Sequence, residues 1–216
     1  MDNGVLYLFD KKSKKVWKGQ VMKIILASGS PRRKEILEGL GRSFTVLTAD
    51  ADESCSHSDP VEYATELAKR KAYAVAEKLG DMSVADADDT LLIAADTVVA
   101  VGDKILGKPR DAADAYQMLS DISGRDHRVI TGLCLVLGRK TVVGHCDTRV
   151  RVANIPENEI LKYIESKDPF DKAGSYGIQG EFSKWIIGIE GCYFNVVGLP
   201  THTLNKLFFE LTGEYI

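Results

Sequence analysis

Ile24-Ile-Leu-Ala-Ser-Gly-Ser-Pro-Arg-Arg-Lys-Glu-Ile-Leu37 joins an apolar run to a helical pattern through three small residues and a proline. Ile24 to Ala27 reads as a buried strand. Proline suits the first turn of a helix, where its missing N–H costs nothing. The chain therefore leaves a strand through Ser28-Gly29-Ser30 and enters a helix at Pro31. Free backbone N–H groups, the positive end of a helix dipole, serine hydroxyls and Arg32/Arg33 meet at that point. Two readings fit: an anion site, most simply for phosphate, or an ordinary strand-to-helix turn with two solvated arginines. The guanidinium fork matches phosphate oxygens and favours the first.

Downstream, Ser43 to Thr48 reads as a strand leading into the acidic Asp50-Ala-Asp-Glu53. Asp59-Pro60 opens a second helix, with Asp59 as N-cap, Glu62 three residues on, and Gly80 as its stop. Its apolar positions Val61, Ala64, Leu67, Ala68, Ala72, Val75, Ala76 and Leu79 follow helical spacing. Lys71 falls on or beside that stripe, so it either snorkels to solvent or delivers an ammonium to an adjoining anion. Asp81 to Thr90 is small and acidic and reads as a loop. Leu91 to Val101 is a continuous apolar strand of the kind found inside α/β sheets, interrupted by Asp96. A carboxylate there is costly unless paired, metal-bound or chemically employed; a satisfied core carboxylate at a strand end is the plainer alternative. Gly102-Asp103 reads as a hairpin turn, after which Ile105 to Pro109 carries Lys108 back along the same sheet. A helix from an Asp111 cap to Ile122 follows, then strands Val129–Leu137 and Thr141–Val152 and a helix over Pro156–Ser166. Asp171 to Gly180 is glycine-rich without either period and reads as a binding loop. Trp185–Ile189 and Cys192–Val197 read as a hairpin about Glu190-Gly191, and a last helix runs from Pro200 to Leu211 before Gly213.

The 216 residues suffice for one α/β domain or two small lobes. A formal net charge of −3 argues against a general nucleic-acid binder. Cysteines 55, 134, 146 and 192 form no C-x-x-C pair and read as reduced thiols of a cytoplasmic protein; Cys55 and His57 alone are a weak zinc fragment. No apolar run reaches membrane-spanning length. Residues 1–21 pair a short apolar run, Val5 to Phe9, with Lys11, Lys12, Lys14, Lys15 and Lys18. That order suits neither a signal nor a transit peptide and reads as an appended hairpin or loose arm, with a partner-binding or membrane-surface arm as the alternative. The domain organisation is therefore an N-terminal extension, 1–21, and one main domain, 22–216.

P-loop, dinucleotide, zincin and nucleophile-elbow motifs are all missing. What remains is a basic set (Arg32, Arg33, Lys71, Lys108) and an acidic set (Asp52, Glu53, Asp96). Phosphoryl and pyrophosphoryl chemistry needs this combination: cations hold the polyphosphate, while carboxylates hold a divalent metal and activate water. Ser28-Gly-Ser-Pro-Arg-Arg33, Asp52-Glu53, Leu67-Ala-Lys-Arg-Lys-Ala72, Ala95-Asp-Thr97, Gly107-Lys-Pro-Arg110, Lys172-Ala-Gly-Ser-Tyr-Gly-Ile-Gln-Gly180 and Val197-Gly-Leu-Pro200 stand in the order seen in the Maf family of nucleoside triphosphate pyrophosphatases. The resemblance runs from Ile24 to the C-terminal helix.

That resemblance implies a mixed α/β fold of the Maf/ITPase type, with an elongated central sheet flanked by helices and a cleft between two lobes. A homodimer is the common assembly of the family. It implies hydrolysis of a nucleoside triphosphate to the monophosphate and pyrophosphate. Asp96 matches the general base and, with Glu53, a ligand of Mg²⁺ or Mn²⁺; which of these roles dominates for Asp96 stays open. Ser30, Arg33, Lys71 and Lys108 match phosphate-gripping positions. Arg32, Thr97 and Gln179 resemble the dTTP/UTP-hydrolysing group, where the 7-methyl-GTP group has tryptophan, glutamine and glutamate. A glutamine amide offers the donor and acceptor that suit the O4/N3–H edge of uracil or thymine; modified pyrimidine triphosphates are natural further substrates. The alternatives are the same chemistry on 7-methyl-GTP or other noncanonical nucleotides, and a nucleotide-binding regulator of cell division. Neither nucleic acid nor membrane is an expected partner.

Overall fold

The computed structural model describes residues 22–80 and 89–216. The expected N-terminal arm and most of the acidic loop before Thr90 lie outside these residues. The elements are β1 (Lys23–Leu26), α1 (Pro31–Gly39), β2 (Thr45–Val46), α2 (Pro60–Gly80), β3 (Thr90–Val101), β4 (Lys104–Leu106), α3 (Ala112–Ile122), β5 (Asp126–Leu137), β6 (Lys140–Val152), α4 (Glu157–Glu165), β7 (Ile186–Glu190), α5 (Tyr193–Val197) and α6 (Thr201–Thr212). Short 3₁₀ turns fill much of the stretch between α4 and β7.

The sheet is mixed, in the order β2-β1-β3-β5-β6-β7, with β4 also paired to β3. β1 runs parallel to β2 and β3, whereas β5, β6 and β7 continue antiparallel. The helix starts follow their local signals. Asp59 Oδ1 accepts the amides of Val61 and Glu62 at 2.8 and 2.9 Å, and Asp111 Oδ1 accepts that of Asp114 at 2.8 Å, each satisfying donors a helix leaves unpaired.

β3 organises the core. Its even residues Leu92, Ala94, Val98 and Ala100 pack under α2 with Ala64, Ala68, Ala72 and Val75. Its odd residues serve two separate cores on the other face. Leu91, Ile93 and Ala95 pack with Leu204, Leu207 and Phe208 of α6, while Val99 packs with Ala115 and Leu119 of α3 and Ile160 and Tyr163 of α4. Asp96 and Thr97 sit where these apolar groupings part.

Three expectations need correction. Cys192–Val197 is no strand but the short helix α5. Its polar residue decides this: Asn195 is fully buried, and its amide donates to Val129 O at 2.8 Å and Thr148 Oγ1 at 2.9 Å, while Tyr193 and Phe194 stay exposed. The strand expected over Ser43–Thr48 shrinks to Thr45–Val46, a sheet edge with only β1 to pair with. β4 ends at Leu106, so Lys108 rides on the loop beyond it and not on the sheet.

Candidate active site

A cleft of about 710 Å³ opens where the sheet splits. On one edge, β3 pairs with β5 from Leu91 to Ala100 without a break. On its other edge, pairing with β1 ends at the 2.8 Å bond from Ala27 N–H to Ile93 O, and pairing with β4 begins only at Val99. Ala94 to Val98 therefore has no strand on that side. The chain after β1 turns away through Ser28-Gly29-Ser30, the chain after β4 leaves through Gly107-Lys108, and Asp96 stands in the middle of the gap. A crevice beyond the carboxyl end of a parallel strand is a recurrent binding place in α/β sheets.

Asp96 is 8% exposed. Its Oδ1 receives a hydrogen bond from Lys71 Nζ at 2.5 Å, and the same ammonium lies 2.9 Å from Glu53 Oε1. Lys71 thus lies in the gap between the two apolar groupings beneath α2 and bridges both carboxylates. Burial pulls its pKa down, but Asp96 and Glu53 outweigh that and hold it above the ordinary lysine value. The hydrogen bond from Lys71 in turn holds Glu53 below the usual carboxylate range against the opposing effect of burial, with Lys108 adding its charge. The register Asp96↔Gly132 explains how α2 comes close enough: a Cβ at Gly132 would lie 2.4 Å from the carbonyl oxygen of Ala64. Glycine inside a strand often marks such a close backbone approach.

Arg33, on the first turn of α1, is held by three acceptors. Its Nε donates to Gly198 O at 2.8 Å, Nη1 to Ser28 Oγ at 3.0 Å and Nη2 to Thr97 Oγ1 at 3.0 Å. Desolvation lowers its pKa, with Asp96 opposing. Thr97 also meets Thr131 Oγ1 at 2.9 Å, and Thr131 donates to Asn195 O at 3.0 Å. A polar seam from α1 to α5 therefore crosses β3 between the two apolar cores. Thr97 lines the cleft, but its hydroxyl is engaged within the protein.

At the rim, Arg32 Nη1 bonds Asp171 Oδ2 at 3.0 Å across the mouth. Asp171 also accepts from Lys172 Nζ at 2.6 Å, which anchors the glycine-rich loop to itself. Ser30 caps α1 without a side-chain hydrogen bond, leaving its hydroxyl uncommitted. Gln179 and Lys108 are exposed cleft-lining residues. All eight residues expected in catalysis or binding, and Glu53, line this one cleft. Asp52 does not; its carboxylate bonds the Ser54 amide and pairs with Arg70 outside. His57 pairs with Glu62, and the described residues hold no cluster of three or more metal-ligating side chains.

Sequence reasoning missed Thr131, Asn195 and Gly132 as members or supports of the site, and it placed Ser28 and Asp171 there without their partners Arg33 and Arg32. Asn195 and Gly132 carried a signal, one a polar residue and the other a glycine, each amid apolar neighbours.

A family model described as "Maf-like protein" matches residues 23–211. The dTTP/UTP pyrophosphatase of Thermococcus kodakarensis is 44% identical over 184 residues, 85% of this chain and 94% of that protein. The proteins of the same name from Carboxydothermus hydrogenoformans and Clostridium perfringens are 45% and 44% identical, spanning 86% and 87% of this chain and 96% and 94% of their own lengths. Among solved structures, the Staphylococcus aureus Ham1 protein aligns with a TM-score of 0.44 at 15% identity, covering 76% of this chain and 79% of that one. That last likeness is too loose to bear on function.

Proposed function

We propose that this chain, which belongs to the Maf family, is a nucleoside triphosphate pyrophosphatase that hydrolyses dTTP and UTP to the monophosphate and pyrophosphate. The observation that carries the reading is the buried Asp96 carboxylate at the sheet split, facing a cleft lined by the cations Arg32, Arg33, Lys71, Lys108 and Lys172 as well as by Glu53 and Asp171. The cations suit a polyphosphate, and the carboxylate sits where water could be activated against it.

In the reaction, Asp96 takes a proton from the attacking water. The water oxygen forms a bond to the α-phosphorus, and the bond from that phosphorus to the α,β-bridging oxygen breaks, releasing pyrophosphate. Lys71, Lys108, Arg33 and the Ser30 hydroxyl hold the phosphates in line, so that little beyond positioning and charge stabilisation is required.

Asp96 and Glu53 fit a hard divalent cation such as Mg²⁺ or Mn²⁺, because two carboxylates already converge on one positive charge, the Lys71 ammonium. Mg²⁺ is commonly held by one or two carboxylates together with substrate phosphates and water, which agrees with the lack of a third protein ligand among the described residues. Such an ion would polarise phosphate oxygens and offset their charge.

Gln179, at the open end of the glycine-rich loop, reads the base, with Arg32 and Thr97 shaping the pocket around it. The test is pyrophosphate release from dTTP, UTP, CTP, GTP, ATP and 7-methyl-GTP, with Mg²⁺ and separately with Mn²⁺. Selective turnover of dTTP and UTP is the expected result. Turnover of another base would discard the specificity assignment and keep the chemistry, and silence across the panel would discard both.

A further inference from the structure

His127 takes no part in this chemistry, yet it is buried beside the cleft in a way an apolar side chain would not require. It is 3% exposed on β5, and its Nε2 lies 2.6 Å from the hydroxyl of Tyr176, with the rings edge to face at 5.2 Å and 84°. Its Nδ1 has no hydrogen-bond partner among the described residues. A buried unpartnered nitrogen is destabilising, so the fold carries an imidazole here at a cost that a leucine would avoid. What the imidazole supplies is its bond to Tyr176.

Tyr176 belongs to the glycine-rich loop and lines the cleft. Just before it, Gly174 (φ 67) and Ser175 (φ 62) are both left-handed, a turn that drives Tyr176 inward. The loop is pressed against β3 there: Gly174 N–H bonds Gly107 O at 3.0 Å, and a Cβ on Gly174 would meet Val99 at 2.7 Å. Phe182 backs the Tyr176 ring at a centroid distance of 4.7 Å. Three residues later the chain delivers Gln179 to the cleft. Burial keeps His127 neutral, with its pKa pulled down to about 4 and Asp126 pushing back only in part. A neutral imidazole can pair with a tyrosine hydroxyl through either tautomer.

We propose that His127 is a positioning residue for base recognition: its bond to the Tyr176 hydroxyl sets the depth at which the loop holds Gln179 against the nucleobase. This rests on the pyrophosphatase reading above. A site that reads a base edge through hydrogen bonds discriminates by their alignment, so the bond should be visible in selectivity.

The experiment measures pyrophosphate release from UTP and CTP by the full chain and by His127→Leu, Tyr176→Phe, the double variant and His127→Gln, with thermal melts to confirm folding. The expected result is a loss of roughly tenfold in the UTP-over-CTP ratio of kcat/KM in each of the first two variants, carried mainly by KM for UTP. The double variant should lose no more than either single one, because both remove the same bond. His127→Gln, whose amide can reach the place of Nε2, should recover most of the ratio. An unchanged ratio in folded Tyr176→Phe, or additive losses in the double variant, would overturn the proposal; if His127→Leu does not fold, Tyr176→Phe decides alone. A wild-type protein selective for UTP with unaffected variants sinks this inference only, whereas a wild-type protein inactive on every nucleotide sinks the pyrophosphatase reading and this inference with it.

Discussion

Asp96→Asn removes the negative charge on which both roles proposed for the buried carboxylate, proton acceptance and metal binding, depend. The substitution keeps shape and leaves an oxygen for Lys71, which now sits 2.5 Å from Asp96 Oδ1 and retains Glu53 at 2.9 Å. Loss of a general base costs about 10²–10⁴-fold in rate, or about 3–5 kcal/mol of barrier at about 1.4 kcal/mol per tenfold. The stability cost is smaller. Breaking a fully buried pair costs about 3–5 kcal/mol, but Lys71 keeps a second carboxylate, which brings the loss towards the value of about 1 kcal/mol for partly exposed pairs. For a domain of this size that is a fall in Tm of about 2–4 °C. Measured without divalent metal, nucleotide affinity should hold or improve, since a negative charge on the cleft wall is removed. Pyrophosphate release with UTP gives kcat, calorimetry with an α,β-imido UTP analogue gives Kd, and a melt gives Tm. A variant with kcat within tenfold of wild type would refute the assignment. A collapse of kcat, Kd and Tm together would show that Asp96 is architecture and not chemistry.

Gln179→Glu removes the amide donor proposed to meet O4 of uracil and thymine; kcat/KM for UTP and dTTP should fall by about tenfold or more, and an unchanged base profile would show that the loop does not read the base. Gly132→Ala puts a methyl 2.4 Å from the Ala64 carbonyl oxygen, so α2 must shift; about 1–3 kcal/mol of stability should go, together with activity as Lys71 moves, and a normal melt with normal kcat would contradict the close-approach argument. Stability should also fall on acidification through His127, whose folded pKa of about 4 lies below its ordinary 6.5. Between those values the unfolded chain holds a proton that the folded chain does not, so stability rises with pH across the window and is lost below it, by about 3 kcal/mol at most. In melts from pH 7 down to 4, wild type should lose stability relative to His127→Gln, and parallel curves would rule this titration out.

Local signals were readable where one short segment sets the geometry. Pro31 after Ser28-Gly29-Ser30 started α1, Asp59-Pro60 started α2, and Asp96 announced itself as a carboxylate in an apolar run. Helical spacing placed Lys71 on or beside the buried stripe but left open whether it snorkels to solvent or meets an anion; its pairing with Asp96 and Glu53 depends on elements far from α2 in sequence. The sheet split was not, since it depends on where β1 stops, where β4 begins and which edge of β3 each takes. None of these is encoded near Asp96. α5 was misread because its apolar residues mimic a strand, while the deciding interaction joins Asn195 to Val129 and Thr148, far away in sequence. Asp171 was quoted within the glycine-rich segment but not as a partner of Arg32, which lies 139 residues earlier.

The pairing state of the cleft cations bears on how a substrate is selected. Arg33 commits three of its five N–H donors to Ser28, Thr97 and Gly198, so it braces α1 against β3 and α5 and retains donors for a phosphate. Arg32 and Lys71 are also paired, but with carboxylates: Asp171 for one, Asp96 and Glu53 for the other. A triphosphate that draws those two from their carboxylates exchanges one anionic partner for another. Such an exchange makes small net gains, because each protein pair broken offsets part of each phosphate contact made. A monophosphate, with fewer charges to offer, gains least from it. The arrangement thus favours the polyanionic substrate over the nucleotide product in the same cleft, and it does so through Asp171 and Glu53, residues that would look like errors in a site built only to attract phosphate.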